Sequence, residues 1–387
     1  MLRLPSMSSE TTPSAYSRKH PFSAPVRANR SLCGPGSEKE TRHIELSLAG
    51  SGLRYDVGDA LGVFASNDPA LVDEIIARLR LDPGEPVINA DKQTVPLRHA
   101  LVHQCVITHP DRKFLALVVE RGFADPELPS LLDPARKADL DRYLYGREVI
   151  DFLHPEFRVE AAEFVATLRK LQPRLYSIAS SLRAHPDEVH LTVASVRYTS
   201  HGRDRKGVCS TYLNERAPEG SAVPVFVHVA KAFRPPEDPA RDMIMVGPGT
   251  GVAPFRAFLE ERAAIGATGR NWLFFGEQRA AANFFYRDEF ERALASGVLT
   301  RLDTAFSRDQ AHKIYVQHRL LEQAAAVWDW IAGGAEFFVC GDANRMAKDV
   351  DEALLRIVAE QGGMDAGGAA AYVETMRKEK RYKRDVY

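Results

Sequence analysis

The sequence predicts an antiparallel β-sheet whose chain is interrupted by helices, followed by a doubly wound parallel α/β sheet. Apolar and polar residues alternate from Arg42 to Leu48, which is the pattern of a half-buried strand in a barrel or a sandwich. Between about Asp68 and Leu171 apolar residues recur with the helical period instead. After Pro235-Pro236 short apolar runs end in polar or glycine-rich turns and alternate with helical segments, as they do in a parallel sheet.

The first region has strand patterns on both sides of the helical block. The alternating segments that follow the block are Leu175–Ala179, Val189–Val196 and Val223–Val229. The segments with helical periodicity inside it are Pro69–Leu79, Phe114–Arg121 and Ala161–Leu171. We therefore expect a disordered tail at 1–14 and one domain at 15–235, which a helical insertion at about 68–171 splits in sequence.

The second region, 236–387, contains four apolar runs with the character of parallel strands. These runs are Met243–Gly247, Trp272–Gly276, Leu299–Ser307 and Phe337–Gly341. The first two end 29 residues apart, at Gly247 and Gly276, which is about the length of one strand and helix. Because ligands bind outside the carboxyl ends of the strands in such sheets, these turns are the first candidates for a functional site.

Composition excludes several classes of protein. The 387 residues include 51 basic and 52 acidic ones, so bulk charge gives no reason to bind nucleic acid or an anionic membrane. The four cysteines form no CxxC pair, which predicts free thiols in a reducing cytoplasm and no metal cluster. His99 and His103 lie four residues apart, but without a recognisable third ligand they favour surface or packing roles over a metal site.

A glycine-rich turn follows the first of the four apolar runs. The segment Met245-Val-Gly-Pro-Gly-Thr-Gly-Val-Ala-Pro predicts a strand, a turn at Gly249 and Thr250, and then a helix. Glycines allow close backbone approach, and amides at a helix start favour a pyrophosphate. The spacing is neither GxGxxG nor a Walker loop. A nucleotide site is the favoured interpretation, and a simple strand–helix turn is the alternative.

A second cue lies at the end of the third run. Ser307-Arg308 is followed by Lys313-Ile314-Tyr315-Val316-Gln317, which supplies cations and hydroxyl groups. A ribose with a 2′-phosphate requires such groups, whereas NAD is usually bound by an acidic residue. The pattern therefore favours NADP over NAD. An ordinary solvated loop is the alternative.

Two segments of the first region suit a flavin dinucleotide. The strand Arg174-Leu175-Tyr176-Ser177 offers an anion clamp, a stacking partner and a hydrogen-bond donor within four residues. The segment Gly207-Val208-Cys209-Ser210 precedes a predicted helix, where Ser210 and Thr211 could cap the helix and hold a pyrophosphate. Taken alone, Tyr176 is equally well explained as a half-buried strand aromatic and Ser210 as a helix cap.

These segments together carry a family resemblance. The ordered motifs are RLYSIASS, GVCSTYL, VGPGTGVAPFRAF, SR followed by KIYVQ, FVCGDANRMAKDV and the terminal RYKRDVY. In this order the chain, from about Tyr16 to Tyr387, resembles the reductase half of the NADPH-sulfite reductase flavoproteins. That family belongs to the diflavin branch of the ferredoxin-NADP reductase superfamily.

The resemblance implies a flattened barrel that binds FAD, a helical connecting insertion, and a C-terminal NADPH-binding domain. The residues it assigns to FAD are Thr108, Arg174, Leu175, Tyr176, Ser177, Thr192, Val193, Ala194, Tyr198, Gly207, Val208, Cys209, Ser210 and Tyr387. Tyr387 would stack on the flavin ring where the nicotinamide must later lie. The residues assigned to NADPH are Ser307, Arg308, Lys313, Ile314, Tyr315, Val316, Gln317 and Asp349, together with Gly249 and Thr250 of the glycine-rich turn.

The resemblance also implies a group of catalytic residues. Hydride passes from the nicotinamide to the flavin, so the two rings must stack and polar groups must stabilise the charge that shifts. Ser177, Cys340 and Asp385 are the residues implied. The alternatives are a buried structural thiol for Cys340 and a solvated terminal charge for Asp385.

One departure from the family concerns the electron acceptor. Only about 15 residues precede the first matching segment, too few for the FMN-binding flavodoxin domain of the family. We therefore expect no FMN domain, and electrons that pass from FAD to a sulfite reductase haem subunit or to a separate flavodoxin- or ferredoxin-like carrier.

Three functions remain as hypotheses. The first is an FAD-dependent NADPH reductase for sulfite reduction in cysteine biosynthesis. The second is a general NADPH-flavodoxin or NADPH-ferredoxin reductase, and the third is a non-catalytic flavin-binding assembly subunit. The basic segment Arg377 to Arg384 is either a solvated helix face or a docking surface for an acidic carrier.

Overall fold

The computed structural model describes residues 15–123 and 125–387, so the tail expected at 1–14 lies outside the described residues. The described chain forms two compact units. The sheet unit comprises the described part of Met1–Gly62, with Leu175–Ala194 and Pro218–Tyr387. The helical unit comprises Val63–Arg174 and Ser195–Ala217.

The described residues contain fifteen β-strands. They are β1 (Phe22–Ser31), β2 (Thr41–Ser47), β3 (Ala60–Val63), β4 (Pro86–Ile88), β5 (Thr94–Pro96), β6 (Arg174–Ser177), β7 (Glu188–Ala194), β8 (Arg197–Ser200), β9 (Arg203–Lys206), β10 (Ala222–His228), β11 (Met243–Val246), β12 (Asn271–Glu277), β13 (Arg301–Phe306), β14 (Glu336–Gly341) and β15 (Tyr382–Val386).

The same residues contain fourteen α-helices. They are α1 (Pro69–Leu79), α2 (Leu97–His103), α3 (Arg112–Glu120), α4 (Leu128–Leu131), α5 (Lys137–Leu144), α6 (Ala161–Ala166), α7 (Val208–Glu215), α8 (Ala253–Ala264), α9 (Ala280–Asn283), α10 (Arg287–Ser296), α11 (Val316–Glu322), α12 (Ala324–Ala332), α13 (Met346–Gly362) and α14 (Ala366–Lys378). Short 3-10 segments occur at Pro134–Arg136, Val149–Phe152 and Gly249–Val252. None of the described helices is long and apolar enough to cross a membrane.

The antiparallel sheet predicted for the first region is present. Its six strands lie in the order β6-β3-β10-β1-β2-β7. In β1 buried Ala24 and Val26 alternate with exposed neighbours, as a strand with one solvated face requires. Ile178, just after β6, forms an antiparallel bridge with Leu191 of β7. Because this bridge joins the two outer strands, the sheet closes into a barrel.

The parallel sheet predicted for the second region is also present. Its order is β13-β12-β11-β14-β15, and all four neighbouring pairs are parallel. The four residues of β11 are all buried, as strands covered on both faces are. The edge strand β15, with the polar sequence YKRDV, was not among the four predicted strands. From β11 the chain adds β12 and β13 on one side and then β14 and β15 on the other, so the strand order reverses at β11, and ligands bind at such points.

Helices dominate the helical unit, as the periodicity between 68 and 171 predicts. Asp68 begins α1 by accepting a hydrogen bond from the Ala70 amide, which satisfies an amide at the helix start. Phe114, Phe157 and Phe164 are fully buried in the core of this unit. The small hairpin of β8 and β9 and the helix α7 also belong to the helical unit.

Candidate functional site

The glycine-rich turn after β11 is packed so tightly that larger residues do not fit. A Cβ atom on Gly251 would lie 2.1 Å from the Cys340 carbonyl oxygen, and one on Gly247 would lie 2.6 Å from the Gly251 oxygen. Gly249 has a φ of +58°, which side chains other than glycine rarely adopt. The turn is therefore held directly against the end of β14. This close backbone approach fits a turn that cradles a dinucleotide.

Three residues predicted to be catalytic converge next to this turn, all in the sheet unit. The Ser177 hydroxyl donates to Asp385 Oδ2 over 2.7 Å. The Cys340 Sγ lies 3.9 Å from the same oxygen, because Cys340 and Asp385 are paired in register on β14 and β15. Burial, and then the Asp385 carboxylate, raise the pKa of the Cys340 thiol. The group therefore consists of one carboxylate with two neutral donors.

A residue that sequence reasoning missed holds the strand that carries Asp385. Asp351 of α13 accepts hydrogen bonds from the Tyr382 hydroxyl and, over 2.5 Å, from Arg384 Nη1. Lys383, on the opposite face of β15, pairs with Glu336 over 2.7 Å. Because side chains alternate along a strand, these contacts fix the face on which Asp385 lies. A lone aspartate on a helix has no sequence signal for this role.

The same contacts bear on the basic segment near the C-terminus. Arg377 and Arg384 pair with Asp351, Arg381 pairs with Glu379, and Lys383 pairs with Glu336. Much of the positive charge in this segment is therefore neutralised within the chain. This weakens the hypothesis that the segment is a docking surface for an acidic carrier.

Tyr387 lies beside both the glycine-rich turn and the end of β14. Its hydroxyl is 3.0 Å from Thr250 Oγ1, and its amide donates to the Gly341 carbonyl over 3.1 Å. The side chain is nevertheless 56% exposed. An exposed aromatic side chain beside Gly341 and the glycine-rich turn suits the stacking role that the resemblance assigns to it.

The residues predicted to bind the NADPH phosphate lie after the carboxyl end of β13 and at the start of α11. The amides of Ser307 and Arg308 donate to the carbonyls of Glu277 and Gln278, which places both at the carboxyl edge of the sheet. Gln317 donates to Asp349 over 2.9 Å. Lys313 and Tyr315 are exposed at the same helix start, whereas Ile314 and Val316 pack into the core. The side chains of Ile314 and Val316 therefore serve packing.

The residues of β6 and β7 that were assigned to FAD differ in what their side chains can reach. Leu175 is 44% exposed and Arg174 is exposed, so both are free to cover a bound group. Val193 is fully buried and Ala194 is half-buried. The Thr192 hydroxyl lies 2.6 Å from the buried Tyr286 hydroxyl. A contact of Thr192 with FAD would therefore use its backbone.

In the helical unit the segment before α7 forms a second tight turn. Gly207 is the N-cap residue of α7, and a Cβ there would lie 2.7 Å from both Ser210 Oγ and Val196 Cβ. Ser210 is therefore not the cap of this helix, contrary to the alternative role given for it by the sequence. Its hydroxyl accepts from the Val196 amide over 3.1 Å. Packing against Ser210 and Val196 thus requires the glycine, and the amides at the start of α7 favour a pyrophosphate.

The remaining assigned residues of the helical unit are partly accessible. Val208 and Cys209 are half-buried in the first turn of α7, and Thr108 is half-buried in the segment after α2. Tyr198 on β8 is 47% exposed. An exposed tyrosine and a tight glycine turn in the same unit fit the binding of a flavin dinucleotide.

A buried polar network that sequence reasoning missed links β2 and β7 with α8 and α10. His43 lies 3.0 Å from the Tyr286 hydroxyl, and Arg256 Nη1 lies 3.3 Å from His190 Nδ1. Burial, and then Arg256, lower the pKa of both histidines to about 2. Both histidines are therefore neutral in the folded protein.

The same network contains the candidate metal ligands among the described residues. The groups with three ligand atoms within 4.8 Å of one another are His43, Glu45 and His190, and His185, Glu188 and His190. His190 belongs to both groups and faces the Arg256 guanidinium. A fixed cation at this position competes with a metal ion, so we assign the network a structural role. His99 and His103 belong to neither group.

Comparison with known proteins identifies the two cofactor-binding regions. The family model described as "FAD binding domain" matches residues 14–120 and 135–212. The family model described as "Oxidoreductase NAD-binding domain" matches residues 245–352, which include the glycine-rich turn and most of the parallel sheet.

Curated relatives match nearly the whole chain. The sulfite reductase [NADPH] flavoprotein alpha-component of Bacillus subtilis (strain 168) is 47% identical over 386 residues, which are 99% of this chain and 64% of the relative. The protein of the same name from Photorhabdus laumondii is 46% identical over 382 residues, 98% of this chain and 62% of the relative. The one from Yersinia pestis is 47% identical over 381 residues, 97% and 62%.

The chain thus spans less than two thirds of the length of these relatives. Within that span both cofactor domains are matched in the same order, and the glycine-rich turn and the group around Asp385 lie in the sheet unit. The chain is therefore similar over nearly its whole length to the sulfite reductase flavoprotein alpha-components, and an FAD-binding domain is followed in it by an oxidoreductase NAD-binding domain.

Proposed function

We propose that this chain is an FAD-dependent NADPH reductase that delivers electrons for sulfite reduction. The observation that carries the proposal is the group formed by Ser177, Cys340 and Asp385 next to the glycine-rich turn. FAD, when bound, accepts the hydride of NADPH and passes the electrons on to an acceptor. The printed names of the relatives support sulfite reductase as the enzyme that this chain serves.

The chain's own residues would stabilise charge during hydride transfer. As a hydride leaves a nicotinamide, positive charge develops on its ring, and the Asp385 carboxylate offers a fixed negative charge nearby. Ser177 donates to that carboxylate and so holds its orientation. Since the pKa of Cys340 is raised, its thiol stays protonated and adds no second negative charge.

We propose the following binding assignments. NADPH would be held by Gly249, Thr250, Ser307, Arg308, Lys313, Tyr315, Gln317 and Asp349, with backbone contacts from Ile314 and Val316. FAD would be held by Thr108, Arg174, Leu175, Tyr176, Ser177, Thr192, Val193, Ala194, Tyr198, Gly207, Val208, Cys209, Ser210 and Tyr387. The starts of the two helices support both sets, because the glycine-rich turn leads into α8 and Gly207 is the N-cap of α7, and amides at a helix start favour a phosphate.

The first test is the rate at which NADPH reduces the FAD-loaded protein, measured by stopped-flow absorbance. We expect Asp385→Asn to slow reduction by about 10- to 100-fold, because it removes the fixed charge near the transferring hydride. NADPH should reduce the wild type much faster than NADH does. Glu352→Gln, an exposed charge change on α13, is the matched control. A colourless protein that cannot take up FAD, or an Asp385→Asn rate equal to the control, would refute the proposal.

The second test identifies the electron acceptor. NADPH oxidation is compared with a sulfite reductase haem subunit, a flavodoxin, a ferredoxin and ferricyanide as acceptors. We expect the haem subunit to be reduced fastest among the protein acceptors. Faster reduction of flavodoxin or ferredoxin would instead identify a general reductase. Loss of NADPH-dependent flavin reduction in a protein that still binds FAD would identify a non-catalytic subunit.

We also propose a reducing compartment, the cytoplasm, as the site of action. Cys33, Cys105, Cys209 and Cys340 form no disulfide bond with one another, and thiols persist in the reducing cytoplasm. A thiol titration of the protein isolated from its own cells under acid quench should find all four reduced.

A further inference from the structure

The loop between β1 and β2, residues 32–40, lies against the elements that carry the NADPH-binding candidates. The Gly34 amide donates to the Ala282 carbonyl over 2.8 Å, and Asn283 Nδ2 donates to Ser37 Oγ over 2.8 Å. Lys39 Nζ pairs with Glu277 Oε1 over 2.9 Å. Three contacts therefore anchor this β1–β2 loop along the carboxyl end of β12 and on α9.

The anchored loop presents an acidic side chain to Arg308. Glu38 Oε2 pairs with Arg308 Nη1, and Arg279 Nη1 donates to the Arg308 carbonyl over 2.9 Å. The hydrogen bond and charge of Arg308 lower the pKa of Glu38, so its carboxylate is charged at neutral pH. The side chains of Glu38 and Arg308 are 60% and 39% exposed. Both are therefore reachable by a ligand from solvent.

A carboxylate and a phosphate bind a guanidinium group through the same donors. Glu38 thus pairs with the Arg308 guanidinium group, which the proposed function assigns to the 2′-phosphate of NADPH. We propose that Glu38 is a specificity-determining residue that competes with the 2′-phosphate of the nucleotide for Arg308. This inference rests on the proposed function. A nucleotide with a free 2′-hydroxyl leaves the Glu38–Arg308 pair intact and does not meet this competition.

The size of the effect follows from the exposure of the pair. Exposed ion pairs contribute little to stability, so their displacement changes a dissociation constant by about two- to fivefold. The loop anchors keep Glu38 near Arg308 after displacement, so its charge continues to repel the phosphate. Salt screens exposed charges, and the effect should therefore shrink as ionic strength rises.

The test is the dissociation constant of 2′,5′-ADP, measured by titration calorimetry. This probe carries the 2′-phosphate but no nicotinamide, so the readout is independent of flavin reduction. We expect Glu38→Gln to bind 2′,5′-ADP about two- to fivefold more tightly than wild type at low salt, with 5′-AMP unchanged. The matched control is Glu40→Gln, which removes a charge in the same loop that faces Arg42 instead. In an Arg308→Ala background, Glu38→Gln should have no effect.

Three outcomes overturn the inference. Equal affinity in wild type and Glu38→Gln means that Glu38 does not compete. Weaker binding in Glu38→Gln means that it positions Arg308 rather than competing for it. A tightening that persists in the Arg308→Ala background means that Arg308 does not mediate the effect. A wild-type protein that does not bind 2′,5′-ADP at all would refute the assignment of NADPH to this site. Equal or weaker binding by Glu38→Gln would leave that assignment intact.

Discussion

At the scale of single residues, chemistry at the site depends on a few contacts across the sheet unit. Asp385 accepts a hydrogen bond from Ser177 and lies 3.9 Å from Cys340 Sγ. The Cys340 carbonyl lies so close to Gly251 that a Cβ atom would not fit there. Each residue is ordinary by itself. Together they place one carboxylate, two neutral donors and a tight nucleotide turn side by side.

Tyr387 carries a prediction at this scale. In Tyr387→Ala no ring has to be displaced before a nicotinamide enters, so we expect NADP⁺ to bind more tightly and the preference for NADPH over NADH to weaken by about tenfold or more. Dissociation constants and reduction rates with both nucleotides measure this. Tyr387→Phe keeps the ring but loses the contact with Thr250. Its preference for NADPH over NADH should lie between those of the wild type and Tyr387→Ala. Unchanged preference in Tyr387→Ala would contradict the assigned position.

At the scale of elements, the edge strand β15 depends on contacts with helix α13. Asp351 accepts from Tyr382 and Arg384, and β15 pairs with β14 alone in the parallel sheet. An edge strand with one neighbour has fewer backbone hydrogen bonds to fix it than a central strand has. The side-chain contacts of Asp351 therefore hold the strand that positions Asp385.

We expect Asp351→Asn to lower the free energy of unfolding by about 1–3 kcal/mol, because a charged acceptor of several hydrogen bonds is lost. It should also slow flavin reduction by NADPH while leaving the absorbance of bound FAD unchanged. Denaturant unfolding and stopped-flow reduction measure the two effects. Glu352→Gln, the next residue on α13, serves as the control. A rate of flavin reduction by NADPH in Asp351→Asn equal to that of this control would show that β15 does not need its contacts with Asp351.

At the scale of the whole molecule, neutral buried histidines make stability depend on pH. His43 and His190 have pKa values lowered to about 2 in the folded chain, whereas an unfolded histidine titrates near 6.5. Above that pH neither state binds these protons. Below it the unfolded state takes them up and the folded state does not, so stability is lost as pH falls.

The expected loss is about 1.4 kcal/mol per pH unit for each of the two histidines below pH 6. Unfolding by denaturant at several pH values between 7 and 4 measures it. His43→Gln should give a shallower pH dependence than wild type, and His99→Gln, at an exposed position, should not. Parallel curves for wild type and His43→Gln would show that His43 titrates normally in the folded protein.

Much of the fold follows from local patterns in the sequence. The alternation in Arg42 to Leu48 became β2, the helical period at Pro69 became α1, and the four apolar runs became β11 to β14. These patterns work because burial of one face imposes a period on the residues of that element. The strand β15 has no such pattern, because its residues are mostly polar. Pairing with β14 and side-chain contacts hold it in place instead.

The site itself was only partly predictable. The glycine-rich turn indicated a nucleotide site through local backbone chemistry, and family resemblance alone supplied the roles of Ser177, Cys340 and Asp385. The pairing of Glu38 with Arg308, the contacts of Asp351 and the network of His43, His190 and Arg256 had no signal in the sequence. These contacts join segments far apart in the chain, and no local periodicity or spacing records which distant side chains will meet. Local sequence patterns are thus enough to predict the elements and the nucleotide turn, whereas the packing of the folded chain sets the distances between remote side chains and so which charges face each other.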